Sequence, residues 1–126
     1  MRTAAQLTEE DLASYRASVR EHAERERVDL SEREERAWSL AREAAALLRE
    51  RFHATRVVVF GSLAHSGCFT PWSDVDVAAW GLYPRDTLRA LGEVMDLSVD
   101  IRVNLVDTAA CRPAVLEAIE AGGVAL

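Results

Sequence analysis

The chain has 126 residues, 49% hydrophobic and 29% charged, with a formal net charge of -6. That balance fits one soluble globular domain with room for a real core. The acidic charge excludes broad nucleic-acid binding through a basic surface, which needs clustered cations. All the Lys-plus-Arg content is arginine, so a lysine nucleophile, Schiff base or P-loop lysine is excluded.

No run approaches the roughly 20 apolar residues of a membrane span. The polar, acidic N-terminus argues against a secretory signal. Cys68 and Cys111 lie far apart without metal-ligand spacing, so they read as free or buried thiols of a cytoplasmic protein.

A first helix is expected over residues 8–27, with Thr8 as N-cap and Glu9, Glu10 and Asp11 in its first turn. Its apolar face is thin: Leu12, Tyr15, Val19 and Ala23. Ser31-Glu32-Arg33-Glu34 has the form of a capping box and predicts a second helix over residues 31–52. Trp38, Ala41, Ala45, Leu48 and Phe52 recur there at helical spacing, with Leu40, Ala44 and Leu47 beside them. That stripe needs a partner, and the sheet is the expected one. The Glu/Arg-rich stretch 21–36 reads as a solvated face with helical ion pairs.

Strands are expected at residues 56–60, 75–80 and 98–106, with a helix over 85–95 before the third. Pro113 and the pair Gly122-Gly123 frame a last helix, and Val124-Ala125-Leu126 offers a short edge strand. Residues 1–54 thus read as a helical extension packed on a core of 55–126, one structural domain overall. The fold class is α/β (α+β), a small mixed sheet flanked by helices.

The chemistry concentrates around this sheet. Val57-Val58-Val59-Phe60 runs into Gly61-Ser62, and Ser73-Asp74-Val75-Asp76-Val77 follows. Val99-Asp100-Ile101-Arg102-Val103 sets a third acid in an apolar alternation. Side chains on a strand repeat with period two, so Asp74 and Asp76 share a face, about 7 Å apart at roughly 3.3 Å per residue. Such carboxylates repel unless a cation joins them, and Mg²⁺ takes oxygen ligands and binds substrate phosphates. Gly61-Ser62 ends one strand while Asp74 and Asp76 begin the next. They meet only if those strands are antiparallel. Asp100 near the start of the third strand predicts that it runs parallel to the second.

These residues resemble the nucleotidyltransferase superfamily of DNA polymerase β, in particular its minimal nucleotidyltransferase (MNT) domains. Gly61-Ser62-Leu63-Ala64-His65-Ser66-Gly67 stands where that family often reads Gly-Ser-x-Ala-Arg-Gly, and Asp74-Val75-Asp76 is its Asp-x-Asp pair. The resemblance covers residues 56–126. It implies a polymerase β-like fold in which Asp74, Asp76 and Asp100 are catalytic and hold Mg²⁺, with two metals in the site. It also implies that Gly61, Ser62, Asp74 and Asp76 bind a nucleoside triphosphate, ATP foremost. Gly61 lets the backbone approach the phosphates, and Ser62 supplies a hydroxyl and an N–H. His65 departs from the family's Arg and reads either as a phosphate contact or as a structural histidine. Arg102 reads as a phosphate contact or the partner of a carboxylate. Trp72 is a base-stacking candidate or a packed loop anchor. Trp38 and Trp80 read as core, and His22 and His53 as plain helix residues.

The implied activity is Mg²⁺-dependent transfer of a nucleoside monophosphate to a hydroxyl. Larger relatives carry a separate acceptor domain, so a partner is expected to complete the cleft. Many single-domain MNT proteins are antitoxins paired with a small helical HEPN toxin, and some transfer AMP to it. The alternatives are a non-catalytic antitoxin or interaction module that neutralises its partner by binding, and a transferase for a small molecule. Self-association stays open, and no membrane partner is expected.

Overall fold

The computed structural model describes residues 8–126. The segment 1–7, part of the reading against a secretory signal, lies outside the described residues. The elements in chain order are α1 (Glu9–Phe52), β1 (Arg56–Phe60), β2 (Val75–Trp80), α2 (Thr87–Met95), β3 (Val103–Asp107), α3 (Pro113–Gly122) and β4 (Val124–Ala125), with short 3₁₀ turns at Gly61–Ala64 and Pro84–Asp86. The chain divides into two compact units between Glu32 and Arg33.

In the first unit α1 begins as the sequence predicts. The Thr8 hydroxyl accepts from the Asp11 N–H at 3.1 Å, and the Asp11 carboxylate accepts from the Thr8 N–H at 3.1 Å. Two of the helix's orphan donors are thereby satisfied. Tyr15, Val19 and Val28 are exposed. His22–Glu26 at 3.1 Å, Arg25–Glu21 at 3.9 Å and Arg27–Glu24 are helical ion pairs on a solvated surface. Exposed pairs of this kind add a few tenths of a kcal/mol each.

The second helix start at Ser31 is not found: α1 runs through it to Phe52. A capping box acts only where the backbone leaves helical φ/ψ. No Gly or Pro interrupts Val28-Asp29-Leu30, and the Arg, Glu, Ala and Leu around it favour continuation. The helix stops at His53, a non-glycine residue at φ 61°, the left-handed geometry that ends many helices.

The second unit holds a four-stranded mixed sheet of order β3-β2-β1-β4. β1 pairs antiparallel with both β2 and β4, and β2 pairs parallel with β3. These are the directions predicted from the site. On one face Val58 and Ala78 meet Ile119 of α3, with Phe60, Trp80 and Val106 against them. Val57, Val59, Val77 and Ala79 alternate to the other face and are fully buried. Within this unit α1 buries Ala37, Leu40, Ala41, Ala44, Ala45, Leu48 and Phe52, and α2 buries Ala90 and Val94. An ion pair joins Arg51 of α1 to Glu93 of α2. Gly123 lets the end of α3 turn tightly into β4, since a Cβ there would collide with Val58 and the Ile119 carbonyl.

The third strand begins at Val103 instead of residue 98. The Ser98 hydroxyl accepts from the Ile101 N–H at 3.3 Å and donates to the Asp100 carboxylate at 2.9 Å. These local bonds replace the ladder bonds a strand would need. Among the described residues no helix is long and apolar enough to cross a membrane.

Candidate functional site

The antiparallel β1–β2 pairing puts Phe60 opposite Asp76, so the turn after β1 lies beside the first residues of β2. Gly61 sits at φ 74°, and a Cβ built on it would lie 2.6 Å from Asp76 Oδ2. Glycine is needed for both reasons, left-handed backbone and close approach to a carboxylate. β2 begins at Val75, so Asp76 is on the strand and Asp74 lies one residue before it; both are half-buried and both accept from one side chain of β3. The loop before them is shaped by Thr70 and Ser73: the Thr70 N–H donates to Ser73 Oγ at 2.9 Å, and the Ser73 N–H to the Thr70 carbonyl at 3.1 Å.

Parallel pairing of β2 with β3 sets Asn104 opposite Asp76. Its Nδ2 donates to Asp76 Oδ1 at 3.1 Å and to Asp74 Oδ2 at 3.4 Å, the second a weak bond. Burial pushes the Asp76 carboxyl above the ordinary range; the Asn104 bond opposes that rise and the Asp74 charge adds to it. Two carboxylates are thus held together by one amide, with the charged form of the deeper one disfavoured.

Asp100 does not join them. It lies in the bend before β3, exposed, paired with Arg36 at 2.7 Å and with Ser98. The Ser98 bond first, with Arg36 and Arg33 further down, holds its carboxyl below the ordinary range. The expectation erred through the strand start. Residues 100, 102 and 104 have the same parity, but β3 begins at Val103, so only Asn104 of the three falls on the strand beside Asp76. Asn104 carries no charge to mark it as a site residue; its place in the apolar run Val103-Asn104-Leu105-Val106 is the signal the sequence offers.

The secondary candidates also resolve. Trp72 is 85% exposed, so it is no packed anchor; Phe69 is the buried residue of that loop. The His65 ring lies against Gly122 at the end of α3, the place of a structural contact. Arg102 is exposed and joins no ion pair among the described residues. Trp80 is half-buried against the α3 cluster, with the Arg56 guanidinium 4.2 Å above its ring.

Among the described residues no group of three or more His, Cys, Asp or Glu is arranged to hold a metal. The Asp74–Asp76 pair nevertheless fits one hard divalent cation: two carboxylates close together, mutual repulsion to relieve, and a Gly61 backbone so close to Asp76 that no side chain stands between them.

This fold matches chains in crystal structures of toxin–antitoxin complexes. Two are mutants of the toxin–antitoxin MntA–HpeT. Each gives a TM-score of 0.55, at 17% identity over 68% of this chain and 70% of that one in the first, and at 21% over 68% and 69% in the second. The third is a toxin–antitoxin with AMP-PNP, with a TM-score of 0.57 and 20% identity over 68% of this chain and 70% of that one. At such identity the likeness shows the fold alone, a mixed sheet with helices. No family model and no curated protein matches the chain.

Proposed function

We propose that this chain is the nucleotidyltransferase-type antitoxin of a toxin–antitoxin pair, binding a nucleoside triphosphate, ATP foremost, at the Asp74–Asp76 site and working in the cytoplasm. The carrying observation is the Gly61 turn set against Asp76, with Asp74 beside it. The neighbours' toxin–antitoxin setting and the AMP-PNP of one of them support the same reading.

Asp74 and Asp76 would hold Mg²⁺, which when bound neutralises phosphate charge. Gly61, having no side chain, lets its backbone lie close to Asp76 and would let the phosphates approach the turn. The half-buried Ser62 makes no side-chain hydrogen bond among the described residues, so its hydroxyl is available to a phosphate oxygen. In the transfer, the acceptor hydroxyl oxygen bonds to the α-phosphorus and the bond to the bridging α–β oxygen breaks. Pyrophosphate leaves and the hydroxyl proton passes to solvent. Such transfer is mainly positioning and electrostatics. The acceptor is a hydroxyl on the toxin, a small helical protein of HEPN type.

A second reading, neutralisation by binding without transfer, is favoured by Asn104, a neutral amide beside the pair with no base character. Intact-mass spectrometry with Mg²⁺ and ATP, with and without the product of whichever small helical toxin gene adjoins this one, separates the two. An added AMP unit on that product, abolished by Asp76→Asn, supports transfer. A stable complex with unchanged masses, and neutralisation undiminished by Asp76→Asn, rejects it.

A further inference from the structure

Resting on the nucleotide-binding reading, we infer that Asn104 makes this a one-cation site: it occupies the register position from which a third carboxylate would complete a second metal's ligands, and it ties Asp74 to Asp76 instead. β3 runs parallel to β2 with Asn104 opposite Asp76. Its amide nitrogen donates to both carboxylates. That end of the amide cannot ligate a cation, and its oxygen is neutral. Paired cations in phosphoryl-transfer sites stand about 3.5–4 Å apart and need anionic ligands to offset their repulsion. Asp74 and Asp76 supply anionic protein ligands for one such cation; a second would have only the nucleotide's own phosphates and a neutral amide oxygen.

The next acid along the chain cannot make up the deficit. Asp100 is committed to Arg36 at 2.7 Å and to Ser98 at 2.9 Å, in the bend before β3. Among the described residues no third His, Cys, Asp or Glu completes a metal cluster with the pair. Asn104 is therefore a positioning residue. It sets the spacing of the two carboxylates and limits the charge the site can hold. It also leaves the acceptor hydroxyl without a third carboxylate beside the pair.

The test is Mn²⁺ titration of the full chain with AMP-PNP, followed by electron paramagnetic resonance. The wild-type chain takes one Mn²⁺ per bound nucleotide, with no spin-coupled pair signal. Asn104→Asp takes two and shows the coupled signal. Asn104→Ala, which adds no charge, still takes one. Two Mn²⁺ on the wild type, or on Asn104→Ala, overturns the inference. So does a folded Asn104→Asp that stays at one. Should Asn104→Asp not fold, the other two counts still decide. Failure of the wild type to bind nucleotide with any Mn²⁺ is a different result, and rejects the function proposed above along with the inference.

Discussion

Asp76→Asn should stabilise the empty fold while abolishing cation-dependent nucleotide binding. Asp74 Oδ2 and Asp76 Oδ1 both accept from Asn104 Nδ2, so they lie within about 6.5 Å of each other, the sum of the 3.4 and 3.1 Å distances. Two unit charges at that separation repel by about 0.6 kcal/mol at the dielectric of water and about 2.5 kcal/mol at an effective value near 20. The pair is half-exposed, so the lower part of that range applies, about 1 kcal/mol. The isosteric amide keeps an oxygen for Asn104, so no donor is orphaned. For a domain of this size the melting temperature should rise by about 3–5 °C at pH 7.

The pH dependence follows from the raised Asp76 pKa. Between the unfolded and folded values the folded chain holds the extra proton, so stability falls as pH rises through the folded pKa. Wild type and Asp76→Asn should therefore diverge above the ordinary carboxylate range and converge below it, where Asp76 is neutral in both states. The assay is thermal melting at several pH values, with and without Mg²⁺ and AMP-PNP. Ligand should raise the wild-type melting temperature and leave that of Asp76→Asn unchanged. A destabilised Asp76→Asn at pH 7, or a gap that does not vary with pH, would refute the reasoning and make Asp76 a structural carboxylate.

Asp100→Asn should shift the melting temperature by no more than about 2 °C and leave nucleotide affinity unchanged by calorimetry, because Asp100 sits in an exposed pair with Arg36. A loss of binding would return Asp100 to the site. Gly61→Ala should cost about 1–3 kcal/mol in denaturant melts and abolish nucleotide binding, since it forces a Cβ into left-handed backbone 2.6 Å from Asp76 Oδ2. A neutral result would mean that the turn relaxes freely. Trp72→Ala should leave stability within about 0.5 kcal/mol of wild type, because the ring is 85% exposed. A large loss would show that the ring is packed after all.

Much of the architecture was legible because it is local or periodic. β1 and β2 stand at the expected residues, as the short valine-rich runs and their Gly and Asp boundaries indicate. Pro113 begins α3, and Gly122-Gly123 ends it. The strand directions followed from one requirement, that the Gly61 turn meet the acids. β3 is parallel to β2 as expected, but Asn104 and not Asp100 lies opposite Asp76, because chain position does not fix register.

What tertiary structure alone decided was register and competition between local bonds. Whether residues 98–102 extend β3 or fold into a bend depends on Ser98 capturing the Ile101 N–H and on Asp100 finding Arg36 on α1, 64 positions earlier in the chain. The bend moves the strand start to Val103 and brings Asn104, not Asp100, to Asp76. A strand's period of two names the face a residue occupies; only pairing with the neighbouring strand says which residue on that face lies opposite which. The residue order alone brings a pair of acids at the start of β2 to the Gly-Ser turn that ends β1. The register decided that their third companion is an amide.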